Sequence, residues 1–474
     1  MPGLATCKGH NRADPASAMI STTLLHHIPH AARVLAFRVL EALSHMKNGG
    51  PRAEEAMAPG TTDPSSRSLW IFVSTIGELN AIDPLIQEML DLLDQPELVL
   101  LTDRSTYDDA YLRKFPQARV EHVTGTSANA RSLVRRRPPL MLLVAEIPCR
   151  LHDAPCRFSY SLMRAAKQAG ATVALVNGWL YGYSPPSRID ATERHLFDRD
   201  YVRGFDLMMV QTEDVRQRLL SSGADAERVV VTGNIKFDAM QQMRSSPVMN
   251  PLAQALSRRG TDPVIVAGSV TETAEQRDLL QAFGAVLTAF PRALLVLAPR
   301  HPENLERMAA LKLLLQASGL DWRLRSQNEP DLAVATSVLV LDTMGELRGC
   351  YAGATLAFVG PDHNVLEPLA FGKPVFVYGR WEPTYPSYPV YRQLLDSGVL
   401  VPADSAESLG RAWLLRLEAS HQDSQRSSEQ MDAVLSGAQG AVARSLVALR
   451  SCPFWTMLAA RQAGLASASS TGRA

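Results

Sequence analysis

Short apolar runs recur along the chain: WIFVS (70–74), LVLLT (98–102), LMLLVA (140–145), TVALVN (172–177), LMMVQT (207–212) and VVVTG (229–233). Between them lie segments with helical spacing, such as AIDPLIQEMLDLL and FSYSLMRAAKQAG. Continuous apolar strands alternating with helices predict a parallel sheet covered on both faces. The pattern pauses at MQQMRSSPVMNPLAQALSRRGTD and restarts with VIVAG (264–268), ALLVLAP (293–299), SVLVLD (337–342), LAFVG (356–360), PVFVY (374–378) and GVLVP (398–402). The expectation is therefore α/β, with two successive Rossmann-like parallel-sheet domains. Length agrees, since 474 residues are too many for one simple core. The expected organisation is a tail and surface helix over 1–60, a first domain over 61–245, a second over 246–455 with returning C-terminal helices, and a disordered tail over 456–474.

One segment lies outside this alternation. LLHHIPHAARVLAFRVLEAL (24–43) sets Leu24, Leu25, Ile28, Leu35, Val39 and Leu43 at helical spacing, with Arg33 and Arg38 at the margins. Such a helix lies on an anionic membrane surface or packs on its own domain, and the pattern fits both. No uninterrupted run of 18 apolar residues reads as a spanning helix.

Charge and cysteine content narrow the classes. Lys and Arg number 48 against 48 Asp and Glu, so no global field points to nucleic acid. Arg135-Arg136-Arg137 before Pro138 reads as a solvated loop. The five cysteines (Cys7, Cys149, Cys156, Cys350, Cys452) are scattered and odd in number, which fits a reducing compartment better than a disulfide framework or a zinc site. Neither G-x-G-x-x-G nor G-x-x-x-x-G-K-[ST] occurs, so dinucleotide and P-loop chemistry find no support.

Ligands of open parallel sheets bind beyond the carboxyl ends of the strands, so polar residues there are the candidates. Glu78 follows the first strand at a helix start, placed as a general base or as a cap. Glu146 and Asn177 follow later strands, as substrate-side groups or as a buried salt bridge and a turn former. Lys236, after VVVTGN, offers a cation to a phosphate or carboxylate, or is a surface lysine. In the second half, Gly268, Ser269 and Thr271 fall at an expected helix start whose amides suit an oxyanion, with Glu272 opposed to that use. Arg300 and His301 form a donor pair after the next strand, or an interdomain salt bridge. The stretch 339–379 then sets Asp342, Gly345 and Glu346 after one strand and His363, Asn364 and Glu367 after another. Spacings of three and four predict that the last three converge on one helix face, with amides toward a nucleotide phosphate and Glu367 toward ribose. Pro368 lies early enough in that helix to be accommodated.

These residues, in this order, resemble the 3-deoxy-D-manno-octulosonic acid (Kdo) transferases of Gram-negative bacteria. STIGEL, LLTDRS, VAEI, TVALVN, VTGNIKFD, VAGS, APRHPE, DTMGEL and HNVLEPLAFGKPV carry the resemblance, which spans roughly residues 65–415. It implies a GT-B glycosyltransferase that moves Kdo from CMP-Kdo to a lipid A precursor at the cytoplasmic face of the inner membrane. Glu78 would deprotonate the acceptor. Lys236, Ser269, Arg300, His301, the Met344-Gly345-Glu346 turn, His363, Asn364 and Glu367 would surround the CMP-sugar. Glu146 and Asn177 would stand on the acceptor side. The expected reaction is an inverting single displacement with no cofactor and no metal, because CMP leaves as a phosphate monoester; a lone Asp362 makes no metal site. The expected partners are the CMP-sugar, a phosphorylated glycolipid and the inner-membrane surface.

Departures from the family pattern cluster on loops. Ala145-Glu146-Ile147-Pro148-Cys149 lacks the family's tryptophan, Ser269-Val270-Thr271 lacks its histidine, GPDHN is a shortened glycine-rich loop, and GWLYGYSPPS replaces a Ser-Glu-Arg-Ser-like segment. They leave open a transferase of another acidic sugar or acceptor, or a nucleotide-binding scaffold without catalysis.

Overall fold

The computed structural model describes residues 28–48, 68–146, 158–179, 188–245, 251–327, 336–383, 385 and 387–452. The N-terminal tail to residue 27, the end of the chain from 453, Cys149, Cys156 and most of the divergent GWLYGYSPPS loop lie outside these residues.

The first sheet contains β1 (Ser68–Phe72), β2 (Glu97–Thr102), β3 (Arg119–His122), β4 (Pro139–Ala145), β5 (Thr172–Gly178), β6 (Leu207–Val210) and β7 (Val229–Val231), in the order β3-β2-β1-β4-β5-β6-β7. The second contains β8 (Val264–Val270), β9 (Leu294–Pro299), β10 (Trp322–Leu324), β11 (Val338–Val340), β12 (Leu356–Val359), β13 (Val375–Tyr378) and β14 (Leu400–Ala403), in the order β10-β11-β9-β8-β12-β13-β14. All strand pairs are parallel. Alternation along each strand feeds two cores per sheet. Trp70, Phe72, Leu142 and Val144 enter one layer of the first domain, while Leu69, Ile71, Met141 and Leu143 enter the other. In the second domain Val264, Val266, Leu294 and Val296 oppose Ile265, Ala267, Leu295 and Leu297 in the same way.

Helices start where the sequence supplies a side-chain acceptor. Thr75, Thr126, Ser159, Thr212 and Asn304 each accept a backbone N–H from the first turn, which satisfies donors the helix itself cannot. Each domain also has one place where strand order reverses. In the first sheet β1 is flanked by β2 and β4, and in the second β8 is flanked by β9 and β12. Connections leave in opposite directions there, so a crevice opens at the carboxyl ends of the strands.

The last helix among the described residues, Ala441–Arg450, returns to the first domain. Ala441, Ala448, Leu449 and Cys452 pack with the Leu69–Ile71 layer. Asp238, in the helix after β7, accepts the N–H groups of Gly440 and Val442, both at 2.6 Å.

The helix His30–Asn48 has one face docked and one face bare. Val34 and Phe37 are buried against Phe197, and Arg33 pairs with Asp200 at 2.6 Å. Ile28, Leu35, Val39, Leu40 and Leu43 are exposed. Packing on the domain and an outward apolar face therefore coexist.

Candidate active site

At the reversal point of the first sheet, Glu78 is the third residue of the helix Ile76–Leu92 that follows β1. Its Oε2 accepts the Ser74 N–H at 2.6 Å, and its own N–H donates to Thr75 Oγ1 at 3.2 Å. Thr75 caps the helix through that bond, while the Glu78 carboxyl reaches one residue further back, to Ser74. An ordinary cap is solvated and ionised, whereas burial pushes the Glu78 carboxyl up to about 8 against the lowering effect of the Ser74 N–H. The neighbouring carboxylates of Glu146 and Asp103 raise it further, and Lys236 partly offsets them. A carboxyl poised near neutrality among other acids is what a general base requires.

Glu146 directly follows β4, the neighbour of β1, and is 2% exposed. It accepts from Asn177 Nδ2 at 2.6 Å and pairs with Lys236 Nζ at 2.9 Å. The network continues: Asn177 Oδ1 accepts the Ile235 N–H, Gln211 Nε2 donates to the Asn177 carbonyl, Asn234 Nδ2 donates to Gln211 Oε1, and the Lys236 N–H donates to Asn234 Oδ1. Loops after β4, β5, β6 and β7 are thereby tied together. Lys236 is thus neither a surface lysine nor an uncommitted cation, because its ammonium is held by Glu146 inside the first domain. Sequence reasoning misses Gln211, Ser74 and Asp103 as site residues, although each follows a strand.

At the second reversal point, three side chains meet. Arg300 Nη1 lies 2.7 Å from His363 Nδ1, and Arg300 Nε donates to His301 Nε2 at 3.3 Å. A guanidinium only donates, so both imidazole nitrogens accept. The ring protons then sit on His363 Nε2, 3.4 Å from Thr271 Oγ1, and on His301 Nδ1, 2.9 Å from Glu303 Oε1. Burial, then the positive charge of Arg300 and the neighbouring His301, push His363 down to about 3. It is therefore a neutral acceptor at physiological pH, and Arg300 carries the local charge. Thr271, Arg300, His301, Asp362, His363 and Arg380 are among the residues lining a cavity of about 960 Å³ over the ends of β8, β9, β12 and β13, a size that suits a nucleotide-sized ligand.

Several expected placements are corrected. Ser269 lies within β8 and not at a helix start, because the helix begins only at Thr273. The Thr271 and Glu272 amides already donate to Glu275 Oε2, at 2.9 and 3.4 Å. Glu275 is the third residue of that helix and reaches back over its own N-terminus, so a carboxylate stands where an oxyanion was expected. Burial pushes Glu275 up to about 7. The spacing of Glu272 and Glu275 is the signal in the sequence for this cap.

His363, Asn364 and Glu367 do not share a helix face. The helix is only Leu366–Ala370; Asn364 precedes it and accepts the Leu366 N–H at 3.1 Å, while His363 turns toward Arg300. Helical spacing does not apply to a turn. Glu367 is enclosed near Arg348 and Tyr351, and burial raises its carboxyl above the usual range. The Met344-Gly345-Glu346 turn projects outward, with Met344 82% exposed. Glu346 is held by Arg325 at 3.0 Å and by Thr343. These residues, with Asn364 and Glu367, stand outside the lining of the Arg300 cavity.

Backbone conformation links the two regions. Glu146, Asn177, Ser269, His301 and Asp362 all have φ between 51° and 65°, and all lie at or just beyond the ends of strands. Left-handed conformations at non-glycine residues cost about 1–3 kcal/mol each and collect at functional sites. Nothing in residue order announces them.

Close backbone approach holds this geometry at one glycine. A Cβ at Gly360 would stand 2.5 Å from the Ser269 carbonyl oxygen and 2.9 Å from Glu275 Oε1. Gly360→Ala is expected to cost about 2–3 kcal/mol, read as a lower midpoint in denaturant unfolding. An unchanged midpoint would mean that the junction of β8 and β12 is looser than this contact implies.

Among the described residues, no group of three His, Cys, Asp or Glu side chains is placed to hold a metal ion. Cys350 and Cys452 are buried free thiols.

Comparison with known proteins adds to this geometry. A family model described as 3-deoxy-D-manno-octulosonic-acid transferase (kdotransferase) matches residues 47–239. A 3-deoxy-D-manno-octulosonic acid transferase of Bordetella pertussis is 29% identical over 404 residues, which are 81% of this chain and 87% of that protein. One from Haemophilus influenzae is 33% identical over 214 residues, 44% of this chain and 48% of that protein. Among solved structures, a putative UDP-N-acetylglucosamine 2-epimerase from Listeria monocytogenes covers 81% of this chain and 96% of its own with a TM-score of 0.56 at 16% identity, a likeness of fold.

Proposed function

We propose that the chain acts as do the 3-deoxy-D-manno-octulosonic acid (Kdo) transferases it resembles, transferring Kdo from CMP-Kdo to a phosphorylated glycolipid, a lipid A precursor, at the cytoplasmic face of a bacterial inner membrane. Its two doubly wound domains have the GT-B architecture. The observation that carries the mechanism is Glu78, a carboxyl raised to about 8 at the reversal point of one sheet, complemented by the cationic Arg300 cavity at the reversal point of the other.

In this reading Glu78 takes the proton of an acceptor hydroxyl as its oxygen attacks the anomeric carbon of Kdo. The bond from that carbon to the phosphate oxygen breaks, and CMP leaves with the electron pair. Attack and departure occur on opposite faces, so configuration inverts. Arg300 faces the charge that builds on the departing phosphate, in a cavity where contacts with His301 and His363 fix its orientation. Lys236 bridges Glu146 and the field at Glu78, keeping the base from being overwhelmed by two neighbouring acids. The exposed apolar face formed by Ile28, Leu35, Val39 and Leu43 supports a peripheral contact with the membrane that holds the acceptor; no helix among the described residues is long and apolar enough to cross one.

The test is CMP release and lipid-linked Kdo from CMP-Kdo regenerated in situ, with and without a tetraacylated lipid A precursor. Product only with the precursor is expected. Folded protein that binds CMP but yields no product would overturn the assignment. CMP release with a different acceptor alone would favour a second reading, a GT-B transferase of altered acceptor or sugar, for which Thr271 in place of the family's histidine is the motivating observation.

A further inference from the structure

Three arginines gather along the edge of the docked N-terminal helix, remote in sequence and outside the machinery described above. Arg38 from that helix, Arg131 from the helix Ser127–Arg136 and Arg164 from the helix Tyr160–Gln168 line one shallow cavity with Val34, Phe37 and Tyr160. None of the three closes an ion pair among the described residues, although ion pairs are frequent elsewhere on the surface. The carboxylates nearby have other tasks. Glu41 accepts the Ser127 N–H at 2.8 Å, Glu193 accepts the Ser161 N–H at 3.0 Å, and Asp200 holds Arg33.

Arg38 and Arg131 are exposed and Arg164 is half-buried, so water screens their repulsion and leaves the guanidinium groups open to an anion from outside. Burial and the adjacent guanidinium of Arg38, with Arg135 and Arg164 adding to it, press Arg131 below its usual range, and Glu41 offsets this only in part. Like charges gathered at one cavity lower their mutual repulsion by binding an oxyanion, and the arginine fork matches phosphate geometry.

The setting selects the source of that phosphate. Arg38 sits at the border between the buried face of its helix, which carries Val34 and Phe37, and the bare face, which carries Leu35, Val39 and Leu43. The helix is fixed to the body, so cavity and bare face keep one orientation: Arg33 donates to the Leu196 carbonyl at 2.5 Å, and Phe37 meets Phe197 edge-on. An apolar surface bordered by a fixed cluster of arginines is complementary to the headgroup layer of an anionic bilayer.

We infer that the Arg38, Arg131 and Arg164 cavity binds the phosphate of an anionic phospholipid headgroup while the outer face of the same helix enters the acyl boundary. The inference rests on the reading that the acceptor is a membrane lipid. It adds a lipid subsite separate from donor and acceptor, one that sets the angle at which the enzyme meets the bilayer.

The test is flotation of the full chain with phosphatidylglycerol vesicles and with phosphatidylcholine vesicles, comparing wild type, Arg131→Gln/Arg164→Gln and Leu35→Glu/Val39→Glu. Removing two cations is expected to weaken phosphatidylglycerol binding about 30-fold and to leave the weaker phosphatidylcholine binding unchanged; the apolar pair should lower both. Turnover of acceptor dispersed in detergent should stay at the wild-type level in the arginine variant, which also shows that it folds. Equal phosphatidylglycerol binding by wild type and arginine variant would overturn the inference. So would inorganic phosphate raising the melting temperature of wild type alone while vesicle binding is unaffected, since the occupant would then be a free anion. Absence of Kdo transfer by wild type, with the vesicle pattern intact, would remove the catalytic reading and leave the lipid subsite standing.

Discussion

Glu78→Gln is expected to lower kcat for Kdo transfer by about 10³-fold, within the span that loss of a general base produces, while CMP binding is retained. The substitution keeps the size and one oxygen acceptor for the Ser74 N–H, so loss of activity reports the missing base and not a lost cap. For wild type, kcat/KM should rise with pH until Glu78 is ionised, near pH 8. Stability should move in the opposite direction. The folded-state value lies above the ordinary 4.5, so the unfolded chain releases this proton first as pH rises. The stability associated with protonated Glu78 is fully present below pH 4.5 and is lost as pH climbs through about 8. Glu78→Gln removes that loss, so the inactive variant should melt higher than wild type at pH 8.5, with the gap closing toward pH 4.5. A variant that is inactive yet no more stable at high pH would separate the catalytic role from the burial argued for it. Retained activity would remove Glu78 from the mechanism.

Arg300→Ala is the second large expected effect, a loss of about 10²–10³-fold in kcat/KM for the CMP-sugar. Arg300 is the charged partner of a neutral His363, and without it the cavity loses the group that faces a departing phosphate. Arg300→Lys should recover only part of the loss, because an ammonium supplies charge without the fork that holds both His301 and His363. A spectroscopic readout stands beside the kinetics. His363 is depressed to about 3 by burial first and by Arg300 next. In Arg300→Ala its titration, followed by the histidine ring protons in NMR, should move upward yet stay below 6.5, since burial remains. No movement would mean that the contact at 2.7 Å is not formed in solution.

How far the fold is legible in the order of residues depends on how strongly each element advertises itself. Twelve strands stand out as aliphatic runs, and most of them are covered on both faces. The remaining two, β3 and β10, do not: they are edge strands like β7 and β14, but without the aliphatic run that those two keep. RVEH is exposed at both ends and WRL is three residues long, so each is a strand only by virtue of its neighbour. The helix over 30–48 is legible as two-sided, and its two readings are its two faces. In the site, residues placed by the rule that chemistry follows strands fall into two groups, Glu78 with Glu146, Asn177 and Lys236, and Arg300 with His301 and His363. Residues placed by helical spacing do not, because the stretch from His363 to Val365 is still a turn. The pairing of Lys236 with Glu146 crosses 90 positions and depends on β4 and β7 bringing their ends together, which no local pattern encodes.

The return of Ala441–Arg450 to the first domain bears on how the protein is made. Translation delivers β1–β7 long before the helix that completes their Leu69–Ile71 layer. At ordinary elongation rates the intervening stretch takes about 10–40 s to synthesise. During that time the second domain, whose layers draw on residues from Phe237 to Leu435, can close first. The domain made first is the one finished last. Until Asp238 receives the Gly440 and Val442 amides, an apolar seam on the nascent protein stays open to chaperones, and a fragment ending after residue 245 would carry that seam permanently.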